Sequence, residues 1–386
     1  MSWQRLLGPL DRLPTEGSLE DWHAAALARA DGLGTLERAV LGGRLAASPG
    51  LAFLAGYQAA LRALWPAAPE GLGALCVTEK RSVRPADLQT RLEGLVLHGQ
   101  KDFVTAGDSA SWWLVAARDE APGQPPRLSM TVVLAGAPGA RLEALPALPL
   151  MPDVPHSRLL LDGAHCERLP GDGWDDYVRP FRLLEDVHVL AALVGWLYGV
   201  GHECGWPSPL LLRLAGILGG CAEVARHPVA CVGTQAVLAG LFEQFSALEG
   251  QLDAAFAAPA IPLVMQVSTP VGGTHWGTEL GQQMVVMSHN VRQGVQTAEL
   301  RLGRPDLGRT GHHLGEVVEV PPPVSVADGQ EEIVLGGEML VDRALGVASG
   351  SGDVIESGWR EAFFGEHLLG GVEQHRARVL KPAFPG

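Results

Sequence analysis

Two threonines, a basic loop and one carboxylate on an apolar stretch are the groups in this 386-residue sequence whose types and spacing suit chemistry. Thr78 ends the run Ala74-Leu-Cys-Val-Thr-Glu79, and Thr105 ends Gly99-Gln-Lys-Asp-Phe-Val-Thr105, with Phe103 two residues before it. A hydroxyl held on a rigid strand can hydrogen-bond a chosen ligand atom and tune it. Threonine is also a common strand former, and Phe103 could be core. Lys80-Arg81-Ser82-Val83-Arg84-Pro85 is the densest basic cluster near these residues and could meet phosphate groups; a charged loop is as readily solvated surface. Glu185 stands among Val187, Leu190, Val194 and Tyr198. Desolvation there would raise its pKa, as a general base near neutral pH requires; the plainer alternative is a solvated glutamate favoured by a helix start.

Composition narrows the class. With 47% hydrophobic and 19% charged residues the chain is globular and long enough for two or three domains. The formal charge of −14, from 43 acidic and 29 basic residues, argues against a nucleic-acid surface, so an anionic ligand needs a local basic patch. The longest apolar run, Val189 to Gly201, is too short for a membrane span, and the N-terminus has no signal-peptide core, so a cytoplasmic protein is expected. Cys76, Cys166, Cys204, Cys221 and Cys231 show no metal or disulfide spacing and read as small buried apolar groups. His275, His289, His312 and His313 show no metal-ligand spacing.

The elements that must position these groups fall into four regions. Residues 1–70 read as helical: Ser18 to Asp21 is a capping signal, and Leu54, Tyr57, Leu61 and Leu64 recur at helical spacing before Pro66. Residues 71–175 carry short β runs at Leu95–Leu97, Asp102–Thr105, Trp112–Ala117, Leu128–Leu134 and Arg158–Leu161, which suit a compact antiparallel barrel. Residues 176–258 return to helical period: Phe181 to Val200, a second helix capped by Ser208-Pro209, and a third from Thr234. That third helix carries a stripe of Leu238, Leu241, Phe245, Leu248 and Leu252, suited to packing within the chain or between subunits. Residues 259–386 stay unassigned, with a hairpin-like stretch at Val324–Leu335 and an amphipathic one at Trp359–Leu380.

The Thr-Glu turn, the Gly-x-Lys-x-aromatic-aliphatic-Thr strand and the apolar strand Ser111-Trp-Trp-Leu-Val-Ala-Ala117, in that order, resemble the middle β-domain of the acyl-CoA dehydrogenase flavoproteins. The strand from Leu148 to Cys166 keeps the same register, and the likeness spans roughly residues 50 to 255. The resemblance implies an α+β fold: a helical N-terminal region, a central antiparallel β-barrel domain and a partial C-terminal helical bundle. It implies FAD as cofactor, with Thr78, Phe103 and Thr105 at its ring, and α,β-dehydrogenation of an acyl-CoA or other acyl thioester, placing the protein in lipid metabolism. An electron-transfer protein as acceptor and a homo-oligomer would go with it. Leu184-Glu185-Asp186 stands ten residues before Gly195, as does the catalytic glutamate in the branch similar to isovaleryl-CoA dehydrogenase, which makes Glu185 the candidate base. Arg81, Ser82 and Arg84 become candidate substrate contacts.

Three departures mark the chain as divergent. The family's ligand loop after Thr-Glu is replaced by residues 80–85, the N-terminal helical region is short, and the text from residue 259 lacks the expected long helices and C-terminal glutamate. That tail reads as a fused segment or as the product of an altered reading frame. A catalytically inactive relative acting as a binding or assembly subunit is the alternative function.

Overall fold

Side chains of one helix complete the edge of one strand, and this junction joins the two layers of the fold. The computed structural model describes residues 3–119, 127–148 and 151–258. Helices α1 (Trp3–Leu7), α2 (Leu19–Arg29), α3 (Thr35–Leu45) and α4 (Pro49–Leu64) come first. Strands β1 (Gly73–Cys76), β2 (Arg91–Glu93), β3 (Val96–Thr105), β4 (Trp112–Asp119), β5 (Arg127–Leu134), β6 (Ala140–Ala144), β7 (His156–His165) and β8 (Glu167–Arg168) follow. Helices α5 (Arg179–Glu203), α6 (Ser208–Val224), α7 (Val232–Ser246) and α8 (Glu249–Phe256) close the described chain.

Strand β1 pairs with β4 on one side only. On its other side the Gln58 amide of α4 stands in for a strand: Nε2 donates to the Gly73 carbonyl at 2.9 Å, and Oε1 accepts the Gly73 N–H at 3.0 Å. Tyr57 Oη accepts the Leu75 N–H at 2.8 Å. All these groups are buried, so each of these bonds removes an otherwise costly orphan. A second tie lies at the other end of α4, where Ser48 caps the helix and its hydroxyl donates to Asp153, in the loop before β7.

The sheet differs from a closed antiparallel barrel. Its order is β6-β7-β3-β2-β4-β5-β8, with β1 added on β4, and the β1–β4 and β2–β4 pairings are parallel. It is a curled, open, mixed sheet of eight strands. The expected runs Leu95–Leu97 and Asp102–Thr105 are one strand, β3.

Helix α5 lies at the centre of the helical layers. Val187, Val189, Leu190, Leu193, Val194 and Leu197 are all buried, each contributing about 1.5–3 kcal/mol of transfer free energy. A 31-residue stretch ending at Glu203 is long and apolar enough to cross a membrane, but 89% of its most apolar window lies inside the protein, as in a core helix. Close approach is made with small residues: a Cβ on Gly43 would sit 1.9 Å from the Ala192 carbonyl oxygen, and one on Gly56 2.7 Å from Val189 Cα. The helix is entered through a π-type turn at Gly173–Val178, since Pro180 has no amide proton to extend the regular ladder backwards.

Two readings shift in detail. Helix α6 begins at Ser208 with Pro207 as its cap, so the cap has no side-chain hydrogen bond. The Leu238–Leu252 stripe is buried throughout, but it spans two helices, because α7 ends at Ser246 and α8 starts at Glu249. Cys76 and Cys221 are buried as expected, whereas Cys231 is exposed. The readings at 324–335, 359–380 and the four histidines from 275 to 313 lie outside the described residues.

Replacing Gln58 with Leu would strand two buried backbone groups of Gly73. It is expected to cost about 3 kcal/mol, read as a lower urea midpoint at unchanged slope.

Candidate functional site

A fully buried lysine fixes the geometry of the Thr78 turn. Lys101 of β3 has no exposed surface; its Nζ lies 2.5 Å from Glu79 Oε1 and donates to the Val77 carbonyl at 3.1 Å. Burial lowers the Lys101 pKa from 10.5, and the Glu79 charge opposes that shift. The remaining Glu79 lone pairs accept the backbone N–H groups of Gln89 and Thr90. One step along, the Asp102 N–H donates to the Thr78 carbonyl at 2.9 Å. The turn from Glu79 to Ser82 is closed by reciprocal 2.9 Å bonds, with Lys80 and Arg81 at positive φ (48° and 65°), the geometry of a type I′ turn.

A β-bulge then aims the second half of the site. In the β3–β7 ladder Lys101 faces Leu159, but Val104 faces Ser157, so β3 carries one extra residue between them. The side-chain alternation therefore changes phase. Lys101 and Val104 both point into the core with Leu159 and Leu161, while Phe103 and Thr105 take the other face. Thr105 pairs directly with His156, whose ring centroid lies 4.7 Å from that of Phe103. Along this face Arg158 and Asp162 of β7 are more open to solvent; at the Thr105 end it is covered, with Thr105 1% and His156 3% exposed and Phe103 half-buried at the rim.

The Thr105 hydroxyl is buried without a hydrogen-bond partner among the described residues, an expensive state for a polar atom in a closed protein. The next residue, Ala106, is buried with φ 68°, in the left-handed region that a Cβ disfavours. Thr234 Oγ1 and Ser246 Oγ share the unbonded state, but at Thr105 it is followed by a residue in the left-handed region.

Glu185 is buried on the second turn of α5, four residues after Phe181, whose ring meets Tyr57 edge-on at 5.7 Å, and four before Val189, which packs on Gly56. Of the two readings of this residue, the solvated helix-start glutamate is excluded. Asp186 beside it is buried too; burial and then the Glu185 charge raise its pKa well above 3.8, against the pull of Arg182. His188 is buried, bonded through Nδ1 to the Leu184 carbonyl at 2.7 Å and through Nε2 to Thr35 Oγ1 of α3 at 3.1 Å.

The Thr78–Asp102 bond sets the Thr78 turn beside β3, and Phe103 and Thr105 share one face of that strand, whereas Glu185 sits in the helical layer on α5. Ser82 is engaged inside its own loop, donating to Asp87 Oδ2 at 2.6 Å and accepting the Arg84 N–H at 3.1 Å; Arg81 is exposed and Arg84 half-buried. A groove of about 430 Å³ lies elsewhere, at Cys204, Trp206, Leu210, Gln251 and Ala255, and none of the site residues lines it. His156 escaped sequence reasoning because the residues it meets, Thr105 and Phe103, lie across a ladder; the one available signal was its place within the segment 148–166.

No family model and no curated protein matches the sequence. Solved structures match in shape. Butyryl-CoA dehydrogenase from Megasphaera elsdenii superposes with a TM-score of 0.54 at 14% identity, over 71% of this chain and 84% of that one. The chain has the acyl-CoA dehydrogenase fold. An FAD-dependent dehydrogenase gives 0.55 at 15% identity, over 73% and 92% of the two chains. PigA with FAD and proline gives 0.52 at 14%, over 78% and 96%. At these identities the likeness is one of fold, shared with flavoproteins of the dehydrogenase type.

Two outcomes follow for stability. Lys101→Met should cost about 3–5 kcal/mol by stranding the Glu79 charge, and adding Glu79→Gln, which removes the charge and keeps an acceptor for the Gln89 and Thr90 N–H groups, should recover much of it, both read by chemical denaturation. Burial moves the His188 pKa from 6.5 to about 4, so the unfolded chain takes up this proton first. Stability from this group is complete above pH 6.5 and lost as pH falls towards 4, while Asp186, with a raised pKa, acts with the opposite sign. Comparison with His188→Gln isolates the histidine: the variant's deficit at about pH 7 should shrink by more than about 1 kcal/mol at about pH 4.5.

Proposed function

We propose that this protein is a flavin-dependent oxidoreductase acting on an acyl thioester, removing hydrogen across its α and β carbons. The observation that carries this reading is the Thr105 hydroxyl, buried and unbonded on the strand face it shares with Phe103 and beside the fixed Thr78 turn. An orphaned hydroxyl next to a half-buried aromatic ring suits a flat heteroaromatic group with acceptor atoms, so the residues present fit FAD. Thr78, Phe103 and Thr105 would hold its ring system, and when bound it supplies a hydride acceptor.

The chain's own residues supply the rest. Glu185, desolvated on α5, takes the α-proton onto its carboxylate. Asp186, held towards its neutral form by burial, limits the negative charge added beside that base. Lys80, Arg81 and Arg84 face the phosphates of the substrate's carrier or of the cofactor, and Ser82 shapes their loop through Asp87. An electron-transfer protein then serves as acceptor. A non-catalytic scaffold is the second reading, favoured by the cover over Thr105 and by a groove that lies away from it.

Purified protein reconstituted with FAD is expected to show flavin absorbance and to oxidise an acyl thioester. Glu185→Gln should cut turnover about 10²- to 10⁴-fold while leaving flavin bound. Bound flavin with no oxidation of any acyl thioester supports the scaffold, and absent FAD uptake overturns the enzyme reading.

A further inference from the structure

We propose that His156 is a positioning residue of the flavin site, fixing the Phe103 ring against the cofactor. The inference rests on the flavin reading above. Directly paired residues of an antiparallel ladder have their Cβ atoms about 4.5–5.5 Å apart on one face, so the His156 side chain stands beside Thr105. Its ring centroid lies 4.7 Å from that of Phe103 at an interplanar angle of 39°, within the range of packed aromatic pairs. Only 3% of His156 is exposed, against a half-buried Phe103, so the imidazole forms the inner wall on which the outer ring rests.

The backbone that carries this wall is fixed on both sides. Across one edge of β7 the Leu145 N–H donates to the His156 carbonyl at 2.8 Å, and across the other His156 pairs with Thr105. The flanking residues Pro155 and Ser157 close on Gly107, where an added Cβ would lie 3.3 Å from Pro155 Cβ and 3.1 Å from Ser157 Oγ. Phe103 sits in the bulge, where the ladder register shifts. Without a ring behind it, Phe103 would sample several tilts, and a flat ligand would have to order it on binding.

The test measures FAD affinity by flavin fluorescence quenching and records the visible spectrum of the bound flavin. It uses wild type, His156→Leu, His156→Phe, Phe103→Ala and the double variant Phe103→Ala with His156→Leu. His156→Leu fills the space without a ring; it should weaken FAD binding about three- to tenfold and shift the long-wavelength flavin band. His156→Phe restores a ring and should return affinity to within about twofold of wild type. Once Phe103 is Ala, His156→Leu should have no further effect. Wild-type affinity and spectrum in His156→Leu, or an undiminished effect in the Phe103→Ala background, would overturn the role. A wild type that takes up no FAD refutes the functional reading itself, whereas bound flavin with unresponsive variants refutes only the part played by His156.

Discussion

The buried ion pair between Lys101 and Glu79 is the constraint on which the site depends. An ammonium without exposed surface is costly unless paired, and here it meets one carboxylate and one carbonyl while the carboxylate also accepts two backbone N–H groups. Such an arrangement adds little net stability over a well-packed apolar pair, but it tolerates few other geometries. The turn carrying Thr78 and the strand carrying Thr105 are therefore held in one register.

A second constraint joins this sheet to the helices. Helix α4 meets β1 through Gln58 and Tyr57, and meets α5 through Gly56, so one helix reports the position of the sheet to the helix that carries Glu185. Glycine contacts leave α5 little freedom to rotate about its axis, since turning it would drive neighbouring Cβ atoms into backbone. The two carboxylates on α5 thus have fixed directions relative to the sheet, although they belong to a different layer.

Much of this order was legible in the sequence, and what was not depends on partners distant along the chain. The helix through Tyr57 and Leu61 follows from apolar spacing, and the run from Trp112 follows from its β-rich composition. By its β runs alone strand β3 looked like two pieces, Leu95–Leu97 and Asp102–Thr105; it is continuous through Gly99, and Lys101 within it meets Glu79 inside. Strand β1 depends on an amide from α4 that no local pattern announces. Glu185 carried two readings in the sequence, and burial removed one. The facing of Phe103 and Thr105 was hidden altogether, since the extra residue that sets it is counted against β7.

That extra residue lets the strand absorb a change in length without turning its side chains over. Deleting one position at 102 or 103 would remove the bulge and leave the lysine and the core valine two residues apart on the inner face, with the threonine hydroxyl still on the other face. A regular ladder and a bulged one would thus present the same groups to the same faces. What the additional position changes is the local bend and twist of the strand at the rim.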